Sequence, residues 1–298
     1  MDGKFFESRI FDVHDDSQFA DMALQLFRFQ YDNNAVYRRY VDFMGVDRGS
    51  VDSLCRIPFL PVEFFKRFQV MTTGFSPELV FTSSGTTGAN TSRHYVKNPD
   101  VYYKSLLDGF EQYYGPLQDY HVLALLPAYL ERTGSSLVTM VEKFMERSGN
   151  GCDGFYLYDF EALDRKIESL MSVSGKKILL IGVTFALLDF AEKFRRNYGD
   201  RVVVMETGGM KGRRKELVRD EVHQILCDGL GIARVHSEYG MTELLSQAYS
   251  DGLGLYRETS TMRILVRDTT DPFCYVAPGV TGGINVVDLA NIYSCSVV

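Results

Sequence analysis

Three short segments of this sequence combine residue types that bind phosphate groups and flat rings. The first is a run of hydroxyl residues and glycines, Thr82-Ser83-Ser84-Gly85-Thr86-Thr87-Gly88. Its hydroxyls and its backbone N–H groups can wrap phosphate oxygens. It lacks the lysine and the spacing of a Walker A loop, and the chain has no G-x-G-x-x-G fingerprint, which disfavours NAD. Taken alone, the run is equally typical of a solvated turn.

The second segment is Glu206-Thr207-Gly208-Gly209, and four cations follow it, namely Lys211, Arg213, Arg214 and Lys215. Paired glycines let a flat ligand approach the backbone closely, and the cations favour an anion. The alternative is that the cations begin a solvated helix, although basic residues at that end oppose the helix dipole.

The third segment is Tyr239-Gly240-Met241-Thr242-Glu243, directly after a predicted strand that ends near His236. The tyrosine ring offers a flat face to a base, Thr242 can bond a phosphate, and Glu243 can hold Mg²⁺ beside it. In open parallel sheets, ligands bind beyond the carboxyl ends of the strands, where this segment falls. The alternative is a glycine turn and then a helix that has the threonine as its cap.

The segments are set among strands and helices that alternate. The predicted strands of this part are 120–126, 177–183, 202–205 and 233–236, and the predicted helices are 135–147, 184–198 and 213–227. Continuously apolar strands separated by helices predict a largely parallel sheet covered on both faces, and so an α/β fold.

The remainder of the chain differs at its two ends. Apolar residues at helical spacing predict two helices within residues 16–45, and a short strand is predicted over 79–81. After about residue 250 the predicted strands are 263–266, 284–287 and 292–298. We therefore expect a helical N-terminal region (1–60), an α/β nucleotide-binding core (61–250) and a smaller β-rich section (251–298).

Composition excludes several classes of protein. Of 298 residues, 45% are hydrophobic and 24% are charged, which excludes a disordered or collagen-like chain. The net charge of −7 disfavours a nucleic-acid partner. Five cysteines without a C-x-x-C pair disfavour zinc fingers and disulfide frameworks, and predict mostly buried thiols in a reducing cytoplasm. The sequence has no signal-peptide core and no apolar run of about 20 residues, so we expect no membrane span.

Together and in this order, the three segments resemble the adenylate-forming enzymes, which include acyl-CoA synthetases, peptide-synthetase adenylation domains and luciferases. At three further places this sequence resembles the acyl-protein synthetase branch, which is the long-chain-fatty-acid–protein ligase of bacterial bioluminescence. These are Pro58-Phe59-Leu60-Pro61-Val62-Glu63-Phe64-Phe65, Leu126-Pro127-Ala128-Tyr129-Leu130-Glu131-Arg132 and Asp288-Leu289-Ala290-Asn291. Phenylacetate–CoA ligase is a more distant relative, and the resemblance covers residues 55–298.

The resemblance implies a large N-terminal adenylate-forming domain with a Rossmann-like sheet, and it implies ATP and Mg²⁺ as ligands. The residues that it assigns to the β- and γ-phosphates are Ser83, Ser84, Gly85, Thr86, Thr87 and Gly88. Gly208 and Gly209 would line the adenine pocket, and Tyr239, followed by Gly240, would stack on the base. The implied catalytic residues are Thr242, at the α-phosphate, and Glu243, which binds Mg²⁺.

The implied reaction activates a carboxylic acid as an acyl-adenylate and then passes the acyl group to a thiol of a protein, a carrier or coenzyme A. Partner subunits are compatible with the resemblance. Two features depart from it: Ala89-Asn90-Thr91 replaces the lysine that many relatives have, and no lid domain with its catalytic lysine is visible before Val298. We therefore expect a fragment. Cys295 sits within a predicted strand, which disfavours it as an acyl acceptor.

Two other functions stay open at this point. One is a catalytically incomplete nucleotide-binding module of a larger complex, which the missing lysines favour. The other is a different Rossmann-like enzyme such as a methyltransferase, which leaves the Thr242-Glu243 pair unexplained.

Overall fold

This computed structural model describes residues 2–83, 91–127, 133–173, 175–208, 217–271 and 273–298, which form both helices and strands. The helices are α1 Gly3–Glu7, α2 Asp16–Asn33, α3 Ala35–Phe43, α4 Phe64–Arg67, α5 Pro99–Tyr114, α6 Ser136–Ser148, α7 Phe160–Val173, α8 Thr184–Lys193 and α9 Arg219–Leu230. The strands are β1 Leu79–Thr82, β2 Arg93–Val96, β3 Tyr120–Leu125, β4 Gly154–Phe155, β5 Lys177–Val183, β6 Val202–Thr207, β7 His236–Tyr239, β8 Ala248–Ser250, β9 Tyr256–Glu258, β10 Met262–Arg267 and β11 Gly283–Asp288.

The central sheet has the strand order β4-β3-β5-β6-β7-β8-β9. Strands β4, β3, β5, β6 and β7 are parallel to their neighbours, and β8 is antiparallel to β7. All residues of β3 are buried, and so are all residues of β5 after its first. Burial on both faces explains why these strands are continuously apolar. The predicted α/β fold with a mostly parallel sheet is confirmed.

The chain forms two compact units. Unit 1 comprises residues 1–109, 240–247 and 258–298, and unit 2 comprises residues 110–239 and 248–257. Unit 1 contains two antiparallel strand pairs, β1 with β2 and β10 with β11. The second pair is the small β-rich section expected near the C-terminus. The boundaries of the three sequence segments, 1–60, 61–250 and 251–298, stay a prediction.

Side-chain caps set the ends of several helices. Asp15 accepts a hydrogen bond from the backbone N–H of Gln18, 2.8 Å away, and so begins α2. Asn34 separates α2 from α3, and its side chain accepts from the N–H groups of Val36 and Tyr37. The two helices predicted within residues 16–45 are therefore present, and they are joined at Asn34.

Three predicted boundaries were wrong. Helix α8 ends at Lys193 rather than at residue 198. The reason is that the N–H groups of Arg196 and Tyr198 bond to the last two carbonyls of α9, those of Gly229 and Leu230. Helix α9 begins at Arg219 rather than at residue 213; residues 217–218 are not helical, and 213–216 lie outside the described residues. Strand β7 begins at His236, where the predicted strand was to end.

The predicted strand over residues 292–298 is absent, although this segment is almost wholly buried. Its backbone bonds partly to β11, where Val298 and Val286 exchange hydrogen bonds and the Ser296 carbonyl accepts from the N–H of Asp288, and partly to side chains of α2 and its cap. Gln30 Nε2 donates to the carbonyls of Asn291 (2.7 Å) and Ile292 (2.9 Å), and Asn34 Nδ2 donates to that of Ser294 (3.0 Å). An isolated bridge between Val287 and Val297 is all the strand-like pairing that this described segment makes. The apolar character of residues 292–298 therefore reflects burial and not a regular strand.

Two further expectations concern the surface. The prediction of mostly buried thiols was wrong, since only Cys295 of the five cysteines is buried and Cys55 and Cys274 are exposed. Burial raises the pKa of the Cys295 thiol to about 12. Within the described ranges, no helix is both long and apolar enough to cross a membrane.

Candidate functional site

The residues assigned by sequence fall into three groups. In unit 2, Gly208 follows β6 and Tyr239 ends β7. In unit 1, Ser83 follows β1, while Gly240, Thr242 and Glu243 belong to the segment 240–247. The assigned residues that lie outside the described part of the chain are Ser84, Gly85, Thr86, Thr87, Gly88 and Gly209.

Strands β6 and β7 bring their carboxyl ends to one edge of the sheet. They are parallel, and Thr207, the last residue of β6, is the register partner of Glu238. Gly208 follows with a φ of +83°, a left-handed conformation that favours glycine, and it is exposed. Tyr239 is the last residue of β7. The structure therefore brings Gly208 and Tyr239 to the same edge, where ligands of parallel sheets bind.

On one face of this edge lies Glu206, a buried carboxylate with several donors. Thr184 Oγ1 donates to its Oε2 at 2.6 Å, and Ser237 Oγ donates to its Oε1 at 3.0 Å. His223 Nε2 lies 3.5 Å from Oε1. Burial alone would raise the pKa of Glu206, but these neighbours, with the charge of Arg219, outweigh it and lower the pKa. Glu206 is therefore a fixed negative charge at the start of the second segment.

On the opposite face lies Glu238, which the sequence analysis did not single out. Its side chain is 7% exposed, and Thr207 Oγ1 donates to its Oε2 at 2.6 Å. Burial raises the pKa of Glu238 to about 7, and the bond from Thr207 opposes this only in part. The two glutamates on β6 and β7 thus differ in charge because one has several donors and the other has one.

Tyr239 packs near a second ring. Its centroid lies 6.1 Å from that of Tyr256, at an interplanar angle of 72°. The guanidinium of Arg219 lies 5.0 Å from the Tyr256 ring, and its Nη1 donates to the Tyr256 hydroxyl at 2.8 Å. The aromatic side of this sheet edge is therefore built by residues of α9, β7 and β9.

Ser83 lies at the base of the hydroxyl-rich segment, in unit 1. Strands β1 and β2 pair up to Thr82 and Arg93. Beyond that pair, the N–H of Ser83 donates to the carbonyl of Ser92 at 3.1 Å, and the Ser83 hydroxyl accepts from the N–H of Ser92 at 2.9 Å. The strand pair and these two bonds fix both ends of the run that connects β1 with β2.

The segment that contains Thr242 and Glu243 is irregular, and its backbone bonds to side chains from other parts of unit 1. The ring of His94, on β2, donates from Nδ1 to the carbonyl of Thr242 at 2.9 Å, since a carbonyl oxygen only accepts. Asn291 Nδ2 donates to the carbonyl of Glu243 at 2.8 Å. His94 Nε2 lies 2.9 Å from Oδ1 of the same amide. Sequence reasoning named neither His94 nor Asn291 as a site residue.

Burial lowers the pKa of His94 to about 4, although both of its hydrogen bonds oppose this change. The ring is therefore neutral at pH 7, and its single proton lies on Nδ1. Nε2 then presents a lone pair to Asn291, whose NH₂ group can serve either this nitrogen or the Glu243 carbonyl. The rings of Phe65 and Phe81 pack against His94 with centroid distances of 5.8 and 6.5 Å and hold its orientation.

The donor set around Glu243 suits a cation that a substrate also binds. Glu243 is 6% exposed, and no described residue forms a hydrogen bond or ion pair with its carboxylate. Among the described residues there is no group of three or more His, Cys, Asp or Glu that could hold a metal. Mg²⁺ commonly binds through one or two carboxylates together with phosphate oxygens and water, so a single carboxylate fits it.

The fold is similar to that of two crystal structures of a 2-hydroxyisobutyryl-CoA ligase. One is an open conformation with 2-HIB-AMP and CoA, and the other holds the same two molecules in the thioesterification state. Each covers 94% of this chain with a TM-score of 0.65, at 12% and 14% sequence identity. This chain spans 67% and 61% of the two solved chains. No protein-family model and no curated protein matches the sequence. The comparison establishes the fold.

Proposed function

We propose that this chain belongs to an adenylate-forming enzyme that uses ATP and Mg²⁺ to activate a carboxylic acid and then passes the acyl group to a thiol. The acceptor would be a protein cysteine, a carrier or coenzyme A, and the acid a fatty or other acyl acid. Within that class, the sequence resemblance favours the acyl-protein synthetase branch. The roles of Ser83–Gly88, Gly208, Gly209, Tyr239, Thr242 and Glu243 stand as assigned from the resemblance.

What supports the proposal most is the position of the Tyr239–Glu243 segment. It begins at the carboxyl end of β7, the last parallel strand of the central sheet. It places a flat ring, a hydroxyl and a buried carboxylate within five residues of chain. A base, a phosphate and a metal ion can be bound by these three chemistries. The fold likeness to a ligase solved with an acyl-AMP agrees with this interpretation.

The chemistry asks the protein to align two anions. The carboxylate of the acid attacks the α-phosphorus, a C–O–P bond forms, and the bond to pyrophosphate breaks. The acceptor thiolate then attacks the acyl carbon, and AMP leaves. Thr242 would hydrogen-bond the α-phosphate, and Glu243 would hold Mg²⁺, which neutralises phosphate charge when bound. Positioning and fixed electrostatics therefore supply the catalysis, without a covalent nucleophile on this chain.

Ligand-dependent thermal stability tests the nucleotide assignment. ATP with Mg²⁺, or AMP, should each stabilise the chain, by about 2.7 kcal/mol at 100 times the dissociation constant. NAD and S-adenosylmethionine should produce no shift. Stabilisation by S-adenosylmethionine alone would instead support the methyltransferase alternative, and no shift with any adenine nucleotide would contradict the proposal.

Pyrophosphate exchange tests the reaction. With acetate, octanoate and tetradecanoate as acids, Thr242→Ala and Glu243→Ala should each lower acid-dependent exchange by about 100-fold or more. Glu142→Ala, which changes an exposed glutamate of α6, is the matched control and should leave exchange unchanged. Equal exchange in all three variants would remove the site assignment. Nucleotide binding without exchange would favour the incomplete module, which the absent lysine after Gly88 also favours.

A further inference from the structure

We propose that Asp288, Asn291 and His94 form a clamp that positions the segment of Thr242 and Glu243. The three clamp residues are therefore positioning residues for the binding of magnesium and ATP. The clamp is defined by these three residues, and all of them lie in unit 1 with the segment they hold. The inference rests on the proposed function. The sequence Asp288-Leu289-Ala290-Asn291 was singled out by resemblance, but no role was assigned to it.

The first half of the clamp holds two consecutive carbonyl groups. His94 bonds the carbonyl of Thr242, and Asn291 bonds that of Glu243. His94 is 1% exposed and Asn291 is 1% exposed, so neither bond competes with bulk water. The backbone of Asn291 is also held, because Gln30 Nε2 donates to the Asn291 carbonyl. The backbone of Asn291 is therefore fixed, and its side-chain amide lies between His94 and the Glu243 carbonyl.

The second half holds the backbone immediately after Glu243. Asp288 accepts from the N–H of Leu245 at 2.6 Å and from the N–H of Ser246 at 3.1 Å, both at Oδ2. Its Oδ1 accepts from the Ser246 hydroxyl at 2.6 Å and from the N–H of Ala290 at 3.1 Å. One carboxylate thus accepts four hydrogen bonds and joins the segment to the turn at the end of β11.

The energetics favour a role in positioning over one in stability. Asp288 is fully buried. Burial raises the pKa of its carboxyl, and its hydrogen bonds oppose this change only in part. Buried carboxylates are weak sources of stability, because desolvation offsets most of what their bonds gain. Residues 240–247 contain no helix or strand, so side chains rather than a backbone ladder fix where the Glu243 carboxylate lies. A metal ligand must be fixed to about 0.5 Å.

Two measurements on the full chain test the clamp. The variants are Asn291→Ser, His94→Ala and its conservative counterpart His94→Gln, which keeps an amide donor. His121→Gln, at another buried histidine, on β3, is the matched control. Hydrogen exchange of the peptide over residues 240–247 requires no activity, and it should become at least tenfold faster in Asn291→Ser and His94→Ala only.

The second measurement separates positioning from folding. In the same two variants, the affinity for ATP with Mg²⁺ should fall by about 10- to 100-fold, the range for residues that orient metal ligands. The affinity for adenosine should stay unchanged, because adenosine lacks the α-phosphate and the metal ion that this segment would bind, and its base contacts lie elsewhere in the chain. His94→Gln should recover part of the loss. A purely structural role would lower both affinities together.

The outcomes are distinct. Unchanged exchange at residues 240–247, or equal losses of adenosine and magnesium–ATP affinity, would overturn the clamp while leaving the proposed function intact. A wild-type chain that binds neither adenosine nor ATP would overturn the proposed function and, with it, the role of the clamp. Faster exchange in such a chain would show only that the three residues order the segment.

Discussion

Replacement of Glu238 by glutamine should stabilise the protein at alkaline pH and have little effect at acidic pH. In the folded chain its pKa is about 7, raised from the ordinary value of 4.5 by burial. Between these two values the folded state holds a proton that the unfolded state has lost. The free energy of unfolding therefore falls as the pH rises through this interval. Glutamine cannot ionise and removes this dependence.

The magnitude follows from the two pKa values. The interval from 4.5 to about 7 corresponds to about 3.4 kcal/mol, because each pH unit within it contributes about 1.36 kcal/mol. At pH 5 the protonated carboxyl and the amide are nearly equivalent. At pH 8 the Glu238→Gln variant should be more stable than the wild type by up to about 3 kcal/mol.

The assay is chemical unfolding of both proteins at pH 5, 6, 7 and 8, reported as the difference between them. Taking the difference cancels His236, whose pKa burial lowers to about 4. Glu206→Gln is the matched control, since Glu206 is buried but has a lowered pKa. Its difference from the wild type should be destabilising and constant over this range. A constant difference for Glu238→Gln as well would refute the reasoning.

Two backbone positions and one cap give further predictions. Gly231→Ala should destabilise the protein well beyond the about 1–2 kcal/mol of a left-handed residue, because its Cβ would lie 2.5 Å from Asn197 Cα. Gly149→Ala, with a similar φ and open space, should cost only that strain, and equal losses by thermal unfolding would contradict the steric argument. Asn34→Ala removes a helix cap and also removes the donor to the buried Ser294 carbonyl. The free energy of unfolding in urea should therefore fall by about 2–4 kcal/mol. Asn33→Ala, which removes only a bond to the preceding turn, is its control and should cost less than half as much.

The sequence was most informative where structure is local. Continuous apolar runs identified β3, β5 and β6, and the helix predicted over 135–147 matches α6, which begins after its Ser135 cap. Helix α5 was not predicted, although Pro99 at its first position and the Asn98 side chain, which accepts from the N–H of Asp100, mark its start. Proline is common at the first position of a helix, so Pro99 is a signal in the sequence that predicts the start of α5.

The parts that could not be predicted depend on distant partners. His94 contacts a carbonyl 148 residues away, and Asn291 contacts one 48 residues away. No spacing in the sequence encodes such pairs. The charge of Glu238 has the same origin, since its environment and not its neighbours in the chain sets its pKa. The site residues named from motifs stay a prediction, and the residues that hold the Thr242–Glu243 segment could not be predicted from the sequence.

The bond between Gln30 and Asn291 also constrains the order of events during synthesis. It joins residues 261 positions apart, and unit 1 is assembled from three separate stretches of chain. At about 5–20 residues per second, a ribosome needs roughly 13–52 seconds to extend the chain from one partner to the other. Unit 2 is nearly contiguous and becomes complete 41 residues before Val298, on emergence of Arg257. During this interval α2 has no native acceptor for its Gln30 amide, so this early helix reaches these contacts only after unit 2 has been synthesised.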